Sequence, residues 1–265
     1  MPLQLKPTLG ARLADPARVR TLFGGWVCSG SPVMAELMAG GGLDWLMIDM
    51  EHAPNGLESV LAQLHATSAY PTTTIVRVPA NEPVIIKQVL DLGAQTIMVP
   101  MVSTVAEAEA AARAAQYPPA GIRGVGSALA RSARWNRVPG YLENGAEHVS
   151  VIVQIETPEG VENAEGLASV PGIDGVFVGP SDLAASMGLI GQQTHPDVVA
   201  AVKRAFAGVR AAGKPVGVNA FDPVAARDYA ASGASFVLVG ADVAIVARAS
   251  EKLAQDFIES IEKKD

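Results

Sequence analysis

The sequence predicts a (β/α)8 barrel, a closed parallel sheet wrapped by helices. Three observations carry this expectation. Short runs rich in Val, Ile and Leu alternate with longer stretches whose apolar residues recur at i, i+3 and i+4, and that alternation builds a parallel sheet. There are eight such runs: LFGGWV (22–27), DWLMID (44–49), TTIVRV (73–78), QTIMVP (95–100), VSVIVQIE (149–156), DGVFVG (174–179), PVGVN (215–219) and SFVLVG (235–240). Glycines at 93, 213 and 233 follow helical patterns just before strands, where a left-handed helix cap is expected. Eight units in 265 residues match a barrel of about 250 residues. A doubly wound open sheet is the runner-up. It would carry G-x-G-x-x-G after its first strand, where this chain has Trp26-Val27-Cys28-Ser29-Gly30-Ser31.

The elements follow in order. Residues 1–20 precede the first strand and are expected to cap the barrel floor. SPVMAELMAGG places Pro32 at a first helical position and ends in glycines. LESVLAQLHATSA, NEPVIIKQVLDLG and TVAEAEAAARAAQ read as the next helices, and TPEGVENAEGLASV as one helix after the fifth strand. His195 stands at a helix start before Pro196, and Lys203 lies in a helix. DPVAARDYAASG and DVAIVARASEKLAQDFIESIEKK follow the last two strands. Residues 117–148 form a long irregular connection, and connections of that length are usually functional. The whole chain, 1–265, reads as one barrel domain.

Composition narrows the function. Lys plus Arg number 20 against 27 Asp plus Glu, a net charge of −7, so the chain lacks the basic face of a nucleic-acid or polybasic membrane binder. At 49% hydrophobic residues, disorder is excluded. With Cys28 as the single cysteine, no intramolecular disulfide forms, and a reduced, cytoplasmic setting is expected. No run approaches the roughly 20 apolar residues of a membrane span, and the N-terminus lacks the apolar core of a secretory signal.

A barrel of this type places its active site at the C-terminal strand ends. Those ends carry Trp26, Asp49 with Glu51 and His52, Arg77, Gln154 with Glu156, the run Gly179-Pro180-Ser181-Asp182, and Asn219. Strand parity puts Gln154 and Glu156 on one face, and burying charge against the helices is costly, so Glu156, Gln154 and Arg77 are expected to point into the mouth. Glu156 and Asp182 can form an open oxygen site for a hard divalent cation; equally, they can be salt-bridge partners of Arg77. Soft metals lack a Cys or His cluster. His52 is placed for acid–base work or for fixing its loop to Asn55. No inward lysine suits an imine mechanism: Lys87, Lys203 and Lys252 lie in helices, and Lys214 precedes its strand. Cys28 reads as packing. The run GIRGVGSALARSARWNR (121–137) can cradle an anion with Arg123, Arg131, Arg134 and Arg137, or pair those arginines with acids at a subunit boundary.

IDMEHAPN (48–55), VRVP (76–79), QTIMVPMV (95–102), YPPAGIRGVGSALARSARWNR (117–137), VQIET (153–157) and GVFVGPSDLAASMG (175–188) together resemble the metal-dependent (class II) pyruvate aldolases of the HpcH/HpaI family. The likeness runs in order over almost the whole chain. It implies cleavage of 4-hydroxy-2-oxo acids to pyruvate and an aldehyde, with Mg2+, Mn2+ or Co2+ and no organic cofactor. The residues matching Glu156 and Asp182 would hold the metal. Arg77 would hold the keto oxygen, backbone N–H groups near Ser181 and Asp182 the carboxylate, and His52 would move the proton. It also implies a homohexamer, a trimer of dimers, with the last helix packed on a neighbouring subunit and Asp91 paired with a neighbour's His. Asp49 joins the catalytic set on the same basis. Asn219 departs from the aliphatic residue usual there, and with Phe221 and Ala241 marks the acceptor pocket. A CoA-ester lyase of the citrate or malyl type and a non-catalytic oxo-acid-binding barrel are the alternatives.

Overall fold

A computed structural model describes residues 3–126 and 128–259. Its eight parallel strands close into a barrel in sequence order, β1 to β8, with β8 pairing back to β1. The strands are β1 Leu22–Val27, β2 Trp45–Asp49, β3 Thr73–Arg77, β4 Thr96–Val99, β5 Ser150–Ile155, β6 Gly175–Val178, β7 Val216–Asn219 and β8 Phe236–Ala241. All eight lie on the expected runs.

The helices are α1 Leu9–Ala14, α2 Pro32–Gly40, α3 Leu57–Ala66, α4 Pro83–Asp91, α5 Val105–Ala115, α6 Pro158–Glu162, α7 Ala164–Ser169, α8 Pro180–Ser186, α9 Pro196–Ala211, α10 Pro223–Ala231 and α11 Asp242–Ala254. Prolines open six of them at the first turn, where the missing N–H costs nothing. A reciprocal capping box between Thr104 and Glu107 starts α5.

Three elements differ from expectation. The stretch after β5 is two short helices, α6 and α7, broken at Asn163. Its side chain turns away to donate to the Ser103 carbonyl at 2.8 Å. The β6–β7 crossover holds two helices, α8 and α9, where the apolar pattern marks only the second; a helix start near Ser181 and Asp182 came from the family resemblance. The last helix leaves α geometry after Ala254 and continues as a π-turn over Gln255–Glu259; the rest of the expected helix, 260–265, lies outside the described residues.

Two apolar layers result. Alanines and branched residues of the helices pack on the outer faces of the strands. Inside the barrel, the aromatic-poor chain concentrates what it has. Trp45, Phe177 and Phe236 meet with ring centroids 5.7–6.5 Å apart. Gly24 and Gly217 make room: a Cβ there would come within 2.3 Å of the Trp45 ring and 2.5 Å of Phe236. The floor is plugged by α1 as expected. Leu9 and Leu13 join the interior cluster. Arg12 Nη1 donates to the Asp44 carbonyl and to Thr73 Oγ1 at 2.7 and 2.6 Å.

Candidate active site

At the opposite end, the mouth, β2 and β3 run in register so that Asp49 lies directly beside Arg77. That register makes an ion pair of them. Arg77 Nε and Nη2 each donate to Asp49 at 2.8 Å, a bidentate fork. Both are buried, Asp49 at 1% and Arg77 at 4% exposure. Burial alone would lower the Arg77 pKa; the hydrogen bonds and charge of Asp49 outweigh it and raise the value. The guanidinium also stacks 4.3 Å from the Trp26 ring. Trp26 Nε1 in turn donates to Asn219 Oδ1 at 2.9 Å.

One guanidinium nitrogen is left facing the mouth. Arg77 Nη1 lies 2.7 Å from Glu51 Oε2 and 3.5 Å from Gln154 Oε1. The contact to Glu51 is close in charge but too poorly aligned for a hydrogen bond, so that buried oxygen stays unsatisfied. Glu51 lies within the IDMEHAPN motif, and its place against Arg77 became visible only in the structure.

Glu156 follows β5 and is 1% exposed. Gln154 Nε2 donates to its Oε1 at 2.8 Å, and Met101 N–H to its Oε2 at 2.9 Å. Met101 holds a left-handed backbone, φ 55°, to aim that N–H. No cationic side chain lies within ion-pair distance of Glu156 among the described residues; Arg77 pairs with Asp49 and Glu51 instead. Burial, reinforced by Glu51 and Asp182, therefore pushes the Glu156 carboxyl up to about 8. The alternative of Glu156 as a salt-bridge partner of Arg77 is thus set aside.

Asp182 is exposed in the first turn of α8, beside Ser181 and the buried Pro180. The first intrahelical bond there is Leu183 N–H to the Gly179 carbonyl, at 3.1 Å, so the N–H groups of Ser181 and Asp182 precede it. Gly179 keeps the space in front of Glu156. A Cβ on it would lie 2.9 Å from both Gln154 Nε2 and Glu156 Oε1.

These features fit a hard cation. Glu156 is a buried carboxylate with spare lone pairs, no cationic partner and two acidic neighbours, and Gly179 leaves its front open. No group of three or more His, Cys, Asp or Glu side chains forms a ready cage among the described residues. A cation on Glu156 and Asp182 would keep positions for water and substrate. No Cys or His cluster suited to a soft metal forms among the described residues.

His52 stands on the loop after β2 with its side chain 64% exposed and Nε2 3.9 Å from Glu51 Oε2. Its backbone N–H and that of Glu51 are both held by the Asp49 carboxylate, at 3.3 and 3.0 Å. Asp49 thus fixes Arg77 and the His52 loop together, and acts on the site through them. Asn55 Nδ2 donates to the Asp49 carbonyl at 2.7 Å and closes the loop. Asn219 is half-buried and Phe221 exposed at the rim, while Ala241 is buried beside Trp26 in register.

Asp91 is not brought to this mouth. It ends α4 on the floor side and pairs with Arg123 at 2.9 Å. Arg123 is 1% exposed and stacks 4.7 Å from the Tyr117 ring. That intrachain pair went unseen in the sequence; only the glycine–arginine run hinted at it. Cys28 is no nucleophile: burial, with Asp49 and Asp242 adding charge, pushes its thiol up to about 12. Asp242, fully buried at the start of α11, takes hydrogen bonds from the N–H groups of Cys28, Ser29 and Val243 and pins the β1 loop.

The geometry agrees with comparison to known proteins. The HpcH/HpaI aldolase/citrate lyase family matches residues 22–249. A 4-hydroxy-2-oxo-heptane-1,7-dioate aldolase of Shigella flexneri is 50% identical over 238 residues, covering 90% of this chain and 89% of that one. One of Salmonella newport is 50% identical over 245 residues, 92% of each. The crystal structure of a family protein from Burkholderia cenocepacia J2315 superposes with a TM-score of 0.89 at 42% identity, covering 94% of this chain and 98% of that one. Eight strand ends converging on one buried arginine and one uncompensated glutamate, in a chain half identical to aldolases, make this protein a carbon–carbon lyase that belongs to the HpcH/HpaI aldolase/citrate lyase family.

Proposed function

We propose that this lyase reversibly cleaves 4-hydroxy-2-oxo acids to an aldehyde and pyruvate, or a related 2-oxo acid such as hydroxypyruvate. The carrying observation is Arg77, gripped bidentately by Asp49 and stacked on Trp26, with one nitrogen edge turned to the same mouth as Glu156. Glu156 and Asp182 would hold a divalent cation, Mg2+, Mn2+ or Co2+. When bound, that cation supplies Lewis-acid stabilisation of the 2-oxo acid oxygens.

The chain's own residues supply the rest. Arg77 Nη1 donates to the keto oxygen, which gains negative charge as the C3–C4 bond breaks. His52 accepts the 4-hydroxyl proton while that oxygen becomes the aldehyde carbonyl. The C3–C4 electron pair passes into the enolate, and C3 then takes a proton to give the 2-oxo acid. The N–H groups of Ser181 and Asp182 suit the substrate carboxylate. Asn219 and Phe221 border the acceptor pocket.

We assign the assembly as a homohexamer, a trimer of dimers. Supporting this, α11 buries only Asp242 and exposes Ile245, Val246 and Leu253, with Phe257 and Ile258 beyond it. Such an apolar stripe is costly to leave in water and suits a neighbouring copy. Asp91, remote from its own mouth, would then pair with a neighbour's His52. The activity is assigned to the cytoplasm; no described helix is long and apolar enough to cross a membrane.

The test is incubation of metal-reconstituted protein with pyruvate and a panel of aldehydes, including succinic semialdehyde, tartronic semialdehyde, glycolaldehyde and hydroxylated C3 acceptors. Aldol product is expected with at least one. Failure with all, alongside turnover of a CoA ester, would place the protein among the CoA-ester lyases.

A further inference from the structure

The barrel floor holds a second cavity, of about 270 Å3, on the side away from the active site. Its walls are the N-terminal segment, the end of α3, the starts of β3 and β4, and the 128–137 stretch. Three cations line it, Lys6, Arg131 and Arg134, together with the hydroxyl-bearing Thr67, Ser68 and Thr73; among the described residues no Asp or Glu does. This is unusual ground in a chain of net charge −7.

The two guanidiniums are held side by side. Arg131 Nη1 donates to the Leu92 carbonyl at 2.9 Å, and Arg134 Nη1 donates to the Arg131 carbonyl. Both lie over Gly93, where a Cβ would meet their Nη1 atoms at 2.6 and 2.8 Å. Neither forms an ion pair with a carboxylate among the described residues, whereas Arg20, Arg77, Arg123 and Arg248 all do. The repulsion registers on the groups themselves. Burial and the neighbouring Arg134 push Arg131 down to about 10, and His65 is lowered by burial and by both arginines. Lys6 Nζ is anchored by the carbonyls of Ser68 and Tyr70.

A half-buried pair of like charges without a counter-ion needs one to be stable. Planar guanidiniums match oxyanions with two or more oxygens. The Thr67 and Ser68 hydroxyls are spent on the Gln63 and His65 carbonyls, and the Thr73 hydroxyl, whose oxygen accepts from Arg12, can add a neutral donor. We propose that the floor cavity is a binding site for a small oxyanion carrying two or more negative charges, either inorganic phosphate or a short dicarboxylate. Occupancy ties the 128–137 stretch to the turn after α4. Ser132 N–H already donates to the Asp91 carbonyl there at 3.2 Å, so the bound anion also steadies the segment that presents Asp91.

The experiment is thermal unfolding and titration calorimetry of the purified protein with inorganic phosphate, with succinate, and with NaCl at matched ionic strength. Phosphate or succinate, and not NaCl, is expected to raise Tm, and the two arms identify which oxyanion the cavity takes. Arg134→Gln should weaken the binding by about tenfold or more, the loss expected for one charge-assisted pair. Lys6→Gln, outside the arginine loop, should also weaken it, and serves if the arginine variant does not fold. Glu156→Gln should leave it unchanged. The proposal is overturned if neither anion shifts the wild type, if Arg134→Gln and Lys6→Gln both respond like wild type, or if the shift is lost only in Glu156→Gln, which would put the anion at the mouth. Loss of oligomeric mass in Arg134→Gln with no anion response would likewise overturn it and assign the arginines to a partner's acid.

Discussion

The two ends of the barrel carry opposite imbalances. At the mouth, Asp49, Glu51, Glu156 and Asp182 surround one inward arginine, which pairs with Asp49 and Glu51; Glu156, as buried as Asp49, has no cationic partner among the described residues. On the floor, Lys6, Arg131 and Arg134 line a cavity to which no acid contributes among the described residues. A stable core alone would have paired these charges within the chain. Each end instead leaves an ion to be supplied from outside, a cation at one and an anion at the other. Local charge surplus is therefore a better guide to function here than the net charge, which describes neither end.

The mouth side of this contrast breaks most severely at Arg77. Arg77→Ala is expected to lower kcat by about a thousandfold or more, as loss of a preorganised oxyanion donor does. It should also cost stability, about 3–5 kcal/mol, because Asp49 is left buried without its partner. Steady-state kinetics and thermal unfolding read both, while any anion response of the floor should survive.

Glu156→Gln separates activity from stability. Metal-dependent turnover is expected to vanish. In chelator, however, the variant should melt no lower than wild type, since a carboxyl pushed up to about 8 is already largely uncharged near neutral pH and the amide keeps its neutral shape. A clear drop in the metal-free Tm would show that Glu156 serves the fold rather than a cation.

Gly179→Ala is subtler. Its Cβ must displace Gln154 or Glu156. Metal affinity should fall by roughly 10–100-fold, the range for disturbing groups that orient a ligand, and isothermal titration with Mn2+ measures it. The smallest effect belongs to Cys28. Cys28→Ser should change kcat/KM by no more than about twofold, and wild-type Cys28 should resist alkylation near neutral pH, because its thiol is held up at about 12.

The eight strands were legible in the sequence because aliphatic runs and glycine caps announce them locally. Parity, with the cost of burying charge against the helices, aimed Arg77, Gln154 and Glu156 inward. What remained hidden depends on register and on distant segments. The Asp49–Arg77 fork exists because β2 and β3 align those two residues, and nothing within either strand encodes the alignment. Glu51, noted at the strand end but given no role, meets Arg77 because the Asp49 carboxylate holds its backbone N–H and turns the loop back. The starts of β3 and β4, with Thr73 and Gln95, form no set when read along the chain. They become a cavity wall only after Lys6 and Arg131 fold across them. The break at Asn163 was hidden too, since its cause is a carbonyl 60 residues away.

The hydrogen bond from Trp26 to Asn219 has a consequence for engineering. In the proposed reaction Asn219 would border the region that receives the aldehyde, and it also steadies the indole on which the Arg77 guanidinium rests. Acceptor choice and turnover rate thus share one mechanical linkage. A library that varies position 219 to admit bulkier aldehydes will also loosen the arginine, and gains in scope will arrive with slower chemistry unless position 26 is varied alongside. Positions 26, 77 and 219 form a single coupled unit whose substitutions will not add.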